Sequence, residues 1–183
     1  PCIFVSNIRR AMAVVSNLYY SDSREKLNII GITGTKGKST TAYYIKYILD
    51  EMARENVQKD TGILSSIKTY DGKGNEYSLL TTPESIEINE RFYNMVNSGI
   101  KNVVMEVSSQ ELKYDRTYGI DFNVGVFLNI SEDHISSVEH SDFEDYFSSK
   151  LEIFKNTKIA CINLDADFSD IILSTAEQYC KKV

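Results

Sequence analysis

Residues 28–41, NIIGITGTKGKSTT, place glycines, lysines and hydroxyls at a spacing suited to gripping a polyphosphate. An apolar run leads into a loop punctuated by Gly31, Gly34 and Gly37, and a helix then opens on lysine and hydroxyl residues. The glycines are expected to let the backbone turn tightly and aim its N–H groups inward, while the helix N-terminus adds partial positive charge. In this reading Lys38 reaches the β/γ-phosphates and the Ser39 hydroxyl holds Mg²⁺. A generic Walker A sets a glycine four residues before the Gly-Lys pair. Here Ile32 stands in that place, so P-loop kinases and GTPases fit less well. The bland alternative is a glycine-rich turn that binds nothing.

Three further residues have chemical potential. Glu106 lies between Met105 and Val107 at the end of an apolar run, where an unpaired carboxylate would be costly and a bound cation would compensate it. Magnesium suits such a site because it favours oxygen ligands and substrate phosphates; a salt bridge to a nearby lysine is the alternative. His134 is one of two histidines and follows another apolar run, though a lone histidine is more often a hydrogen-bonded structural residue. Lys150 falls in an apolar helical stripe with Phe143, Tyr146, Phe147, Leu151 and Phe154. A lysine on a covered face loses solvation and becomes a neutral amine. Periodicity alone favours instead a lysine that snorkels to water along its methylenes.

The elements that must position these residues alternate between strand and helix. Residues 6–19 place Ile8, Ala11, Met12, Val15 and Leu18 on one face of a short amphipathic helix, and SDSREK at 21–26 links it onward. Ala42, Ile45, Leu49 and Met52 recur at helical spacing after the phosphate loop, which predicts a helix packed on a sheet by that face, and DGKGN at 71–75 reads as a hairpin turn between short strands. A helix over 85–97, strands at NVVMEVS and FNVGVFLN, a helix over 142–155 and the strand KIACINL complete the pattern. Near-continuous apolar strands separated by helices predict an α/β fold, a mostly parallel sheet with helices on both faces. Ligands of such sheets sit beyond the carboxyl ends of the strands, which here carry the phosphate loop, then Glu106, Ser108 and Ser109, then Asn129, Asp133 and His134.

Composition sets bounds. The 183 residues are 42% hydrophobic with two prolines, enough for a full core, and no run reaches the ~18 apolar residues of a membrane span. RRAMAVV at 9–15 is too short and too soon interrupted for a signal peptide. Three cysteines without metal-type spacing suit reduced thiols and a cytoplasmic location. A net charge of −6 argues against a nucleic-acid surface and leaves any anion site to be made locally.

Four segments in order, GITGTKGKSTT, TTPE at 81–84, MEVSSQELKYDR at 105–116 and NISEDH at 129–134 followed by SSKLEIF, resemble the Mur ligases, and within them the type that makes UDP-N-acetylmuramoyl-tripeptide for peptidoglycan. The resemblance spans about residues 3–168. It implies that residues 1–26 are the tail of a uridine-binding domain and linker, that 27–183 are part of the central ATP-binding domain, and that a C-terminal ligase domain is absent, so that this polypeptide alone would not ligate. It implies that Gly34, Thr35, Lys36, Gly37, Lys38, Ser39 and Thr40 wrap the ATP phosphates, that Ser39, Glu106 and His134 hold Mg²⁺, and that Lys150 is the lysine that many members carbamylate to position a second ion. Thr81, Thr82, Ser108 and Arg116 are implied to grip the muramoyl-dipeptide, with Arg116 a planar fork on a carboxylate. Without the resemblance, Thr81 and Thr82 could simply start the helix after Pro83, and Arg116 could be an ordinary surface residue. The implied reaction is ATP-dependent amide formation with an amino acid through an acyl phosphate. Lys36, Ser39 and Gln110 depart from the usual Asn, Thr and His of the family, and the stretch between His134 and Lys150 is about two residues longer than usual. Folylpolyglutamate synthetases share the fold and are the runner-up; a nucleotide-binding module without ligase activity is a third reading.

Overall fold

The computed structural model describes residues 2–77, 83–133, 135–136 and 139–183. Thr81, Thr82 and His134 therefore lie outside the described residues. The first helix, α1 (Ile8–Tyr19), is followed by a short 3-10 turn and then β1 (Asn28–Thr33) and α2 (Lys38–Glu55). Three short strands come next, β2 (Gly62–Leu64), β3 (Lys68–Tyr70) and β4 (Asn75–Tyr77). Then follow α3 (Ser85–Asn97), β5 (Asn102–Glu106), α4 (Ser109–Lys113), β6 (Phe122–Phe127), α5 (Phe143–Leu151), β7 (Thr157–Ile162) and α6 (Ser169–Tyr179).

The seven strands form one sheet in the order β4-β3-β2-β5-β1-β6-β7. β2, β5, β1, β6 and β7 run parallel, and the hairpin at DGKGN adds β3 and β4 as an antiparallel edge. Successive residues of a strand point to opposite faces, so the apolar strands feed two cores. Ile29, Val103, Met105 and Phe127 pack with α3, α5 and α6, whereas Ile32, Val104 and Val126 pack under Ala42 of α2. Helices thus cover both faces, and the sheet is mostly parallel, as the apolar runs predicted.

Three local expectations are corrected, for Gly31, Met52 and the helix over 142–155, and α1 adds an exposure that its pattern leaves open. Gly31 does not turn the chain; it pairs with strands on both sides, and a Cβ there would lie 2.6 Å from the Phe122 ring, so the need for glycine is close packing. The apolar stripe of α1 faces outward, with Ile8 and Val15 both 65% exposed, while Ala13, Ser16 and Asn17 are buried. That helix is tied down by polar contacts to α3, where Asn89 Nδ2 donates to Ser16 Oγ at 2.9 Å. Periodicity locates an apolar face but not what it meets. Met52 is likewise exposed, and Asp50 and Ala53 take the buried positions at that end of α2. The helix expected over 142–155 stops at Leu151 and tightens into a 3-10 turn, Glu152–Asn156, that buries Ile153 and Phe154.

Candidate functional site

β2, β5, β1 and β6 are neighbours, so their carboxyl ends bring together Ser66, Glu106, the phosphate loop and Asn129. Gly34 and Gly37 adopt φ values of 152° and 85°, the second in the left-handed region at the N-cap of α2. The loop between them is fixed from the tip of β6. Asn129 Oδ1 accepts from Lys36 N at 2.9 Å, its Nδ2 donates to Lys36 O at 3.0 Å, and its carbonyl accepts from Thr35 N at 3.1 Å. Tyr146 of α5 donates to Thr35 Oγ1 at 3.1 Å, so the loop is braced from the helix below as well. Lys36 Nζ pairs with Asp133 at 2.7 Å, and Thr40 is exposed.

Two lysines converge on one oxygen. Lys38 Nζ donates to Gly34 O at 2.9 Å, and Lys150 Nζ donates to the same carbonyl at 3.0 Å. Lys150 is only 2% exposed and does not snorkel; its Nζ lies 4.7 Å from the centre of the Tyr146 ring. Burial, with a further push from Lys38, brings its pKa down to about 7. Burial also lowers Lys38, against the pull of Glu106 and Glu111.

Glu106 is 1% exposed, and burial raises its pKa above the ordinary carboxylate value. Ser39 Oγ donates to Glu106 Oε2 at 3.1 Å, Ser66 N donates to Oε1 at 3.1 Å, and the two serine hydroxyls lie 3.1 Å apart. These contacts and the nearby Lys38 counter the burial. The donor set is all oxygen, one carboxylate and two hydroxyls beside a phosphate-type loop, which fits a hard divalent ion such as Mg²⁺. Ser66 was not anticipated, since a serine pair after a three-residue strand carries no motif.

Ser108 N-caps α4 within a capping box: its Oγ accepts from Glu111 N at 3.4 Å while Glu111 Oε2 accepts from Ser108 N at 2.6 Å. The neighbouring Ser109 Oγ lies 2.8 Å from Nε2 of the fully buried His140, whose Nδ1 is 3.3 Å from Asp145. This second histidine, unremarked in the sequence, ties α4 to α5. Arg116 lies just beyond α4 and pairs with Glu84, the last residue of the TTPE segment, at 3.0 Å. Lys38, Ser39, Glu106 and Lys150 are thus gathered at one end of the sheet. Ser108 opens α4 just after β5, and Arg116 lies just past the end of α4.

Residues 32–183 match the Mur ligase middle domain. The chain is 44% identical over 177 residues to a UDP-N-acetylmuramoyl-L-alanyl-D-glutamate–L-lysine ligase of Enterococcus faecalis, covering 96% of this chain and 34% of that protein. It is 43% identical to a UDP-N-acetylmuramoyl-L-alanyl-D-glutamate–2,6-diaminopimelate ligase of Clostridium tetani, covering 96% of this chain and 35% of that protein. The chain therefore spans about a third of the length of the relatives it matches. A folylpolyglutamate synthase of Mycobacterium tuberculosis, complexed with ADP, shares the fold with a TM-score of 0.71 at 14% identity, over 95% of this chain and 46% of that one.

Proposed function

Because the chain belongs to the Mur ligase family through its middle domain, we propose that it is the nucleotide-binding part of an ATP-dependent ligase that joins an amino acid to UDP-N-acetylmuramoyl-L-alanyl-D-glutamate. The observation that carries this reading is the convergence at the strand tips: the Nζ atoms of two lysines on Gly34 O, and Ser39 within 3.1 Å of the buried Glu106. Identities of 44% and 43% to relatives named as muramoyl-dipeptide ligases favour the muramoyl substrate over folate. The two relatives are named for different amino acids, lysine and diaminopimelate, at nearly equal identity, so the incoming amine is left at that class.

In this reading the phosphates of ATP take the place of Gly34 O as the partner of Lys38, relieving the crowding of two cations on one carbonyl. The muramoyl-dipeptide carboxylate attacks the γ-phosphorus and ADP leaves, giving an acyl phosphate; the amine then attacks the acyl carbon and inorganic phosphate leaves as the amine loses a proton. Placement and charge neutralisation carry most of the rate, and Lys38 supplies both. Ser39, Glu106 and His134 would hold Mg²⁺, which neutralises phosphate charge when bound. Lys150, poised near neutrality by burial, adds CO₂ to give a carbamate with loss of a proton. The carbamate N–H can still donate to Gly34 O, and its negative charge replaces the repulsion from Lys38 with attraction. Arg116 receives a substrate carboxylate, and Thr81, Thr82 and Ser108 line the same substrate.

The experiment is ADP release by the protein that carries this chain. Turnover that requires both UDP-N-acetylmuramoyl-L-alanyl-D-glutamate and lysine or diaminopimelate is the expected result; turnover driven instead by a folate and glutamate overturns it.

A further inference from the structure

Arg116 is held by more than its own turn. Its Nε lies 3.0 Å from Glu84 Oε1, and Nη1 of Arg9 reaches both oxygens of the same carboxylate, at 3.3 and 3.2 Å. The three side chains come from three elements: Arg9 from α1, Glu84 from the N-cap position of α3, and Arg116 from the turn after α4. Each backbone is anchored. Glu84 O accepts from Ile88 N at 3.1 Å, and Arg116 N donates to Glu111 O at 2.9 Å. Asp115, in the left-handed region at φ 56°, sends its carboxylate back to Asn7 at 2.9 Å and Arg10 at 3.1 Å, which locks α1 onto this turn. The Arg9 guanidinium lies 5.3 Å above the Tyr114 ring.

We infer that Glu84 is a positioning residue for Arg116 in substrate binding, and that Arg9 supplies the counter-charge this role requires. The inference rests on the reading above in which Arg116 receives a substrate carboxylate. A guanidinium offers a carboxylate two edges, one containing Nε and one formed by the two terminal nitrogens. A carboxylate on the Nε side leaves the terminal edge for the substrate and fixes the plane of the fork. Charge sets the second requirement. Glu84 alone would cancel Arg116 and leave no pull on an anion, whereas two arginines around one carboxylate keep a net positive charge. The contact at Nε is a charge contact rather than an aligned hydrogen bond, since the buried Nε–H has no acceptor on its axis. Site hydrogen bonds are commonly slack before the ligand arrives and tighten with it. The side chains of Arg9 and Glu84 are 39% and 41% exposed, so their pair adds little to stability, and its effect is on orientation and field. Glu84 also closes the TTPE segment, two residues after Thr82, and the proposed function assigns the threonines of that segment to the same substrate.

The test compares Glu84→Gln, Glu84→Asp, Arg9→Gln and Arg116→Gln in the full-length protein, measuring KM for UDP-N-acetylmuramoyl-L-alanyl-D-glutamate and for ATP separately. Arg116→Gln checks the underlying reading: if the dipeptide KM is unmoved, Arg116 is not a substrate residue, and both statements fall. Given that control, Glu84→Gln is expected to raise the dipeptide KM about tenfold with the ATP KM within about twofold. Glu84→Asp should recover part of the loss, and Arg9→Gln should raise the dipeptide KM severalfold with Glu84 intact. An unchanged or lower dipeptide KM in Glu84→Gln, as expected if Glu84 merely competes with substrate, overturns the inference, as does an equal rise in both KM values. Should Glu84→Gln not fold, Arg9→Gln decides on the same terms, an unmoved dipeptide KM being the contrary result.

Discussion

The phosphate end of the site and the Arg116 end use the same ingredients, cations beside carboxylates, in opposite surroundings. Lys150 and Glu106 are almost wholly buried, and each is shifted toward its neutral form by that burial. Arg9 and Glu84 are half exposed and engaged with each other, around an Arg116 side chain that is 16% exposed. Burial turns a charge into a reactive or metal-seeking group because neutralisation or a new partner is the way out of an unfavourable state. Exposure leaves a charge cheap, so it can serve for orientation and long-range attraction. On the proposed function, the difference separates two tasks: the buried end is the one suited to chemistry on phosphate, and the wetter end to recruiting and aiming the acid.

The largest expected effect is at the buried end. Lys38→Met should reduce turnover by at least ~10²–10³-fold, the scale seen when one preorganised transition-state donor is lost, while the dipeptide KM moves little. A comparable rise in the dipeptide KM would break the division between the two ends. The tenfold effect expected for Glu84→Gln is the mirror image, recorded in KM for the acid and not in kcat. The smallest effect is on stability. Lys150 has a folded pKa of about 7, below its value of 10.5 when unperturbed, so between these values the unfolded chain binds more protons. Its contribution to stability therefore rises with pH from about 7 to 10.5 and is least favourable below 7. Lys150→Met should melt a few degrees higher than the parent at pH 6.5, with a smaller gain at pH 9.5, while losing turnover. Equal gains at both pH values would mean that Lys150 is not the strained group described here.

How much of this was legible in the sequence depended on whether the signal was local. The helix at Ser85–Asn97 and the strands β1, β5, β6 and β7 announce themselves by period and by apolar runs. The short β2 and the five-residue α4 do not, although the Ser108-to-Glu111 capping-box spacing was there to be seen. Gly31 looked like a loop glycine because the Phe122 ring that demands it lies 91 residues further along the chain. The face of α1 was readable as apolar, but its exposure was not, because its polar face carries the hydrogen bonds to α3. In the site, Lys38, Ser39 and Glu106 were marked by motif and burial, whereas Ser66 and His140 depend on contacts across 40 and 31 residues. The ion pair of Glu84 with Arg116 is similarly non-local. Lys150 was the instructive intermediate: its stripe was visible, and only packing decided between a snorkelling lysine and a buried one.

The central claim, that Glu106 and Ser39 form a divalent-ion site at the strand tips beside the phosphate loop, is tested most directly by measuring ADP binding to the parent protein and to Glu106→Gln, each with and without Mg²⁺. The parent should bind ADP more tightly with Mg²⁺, and Glu106→Gln should lose that increment while keeping or improving its metal-free affinity, since a carboxylate near the phosphates has been removed. An undiminished Mg²⁺ increment in Glu106→Gln would contradict the account.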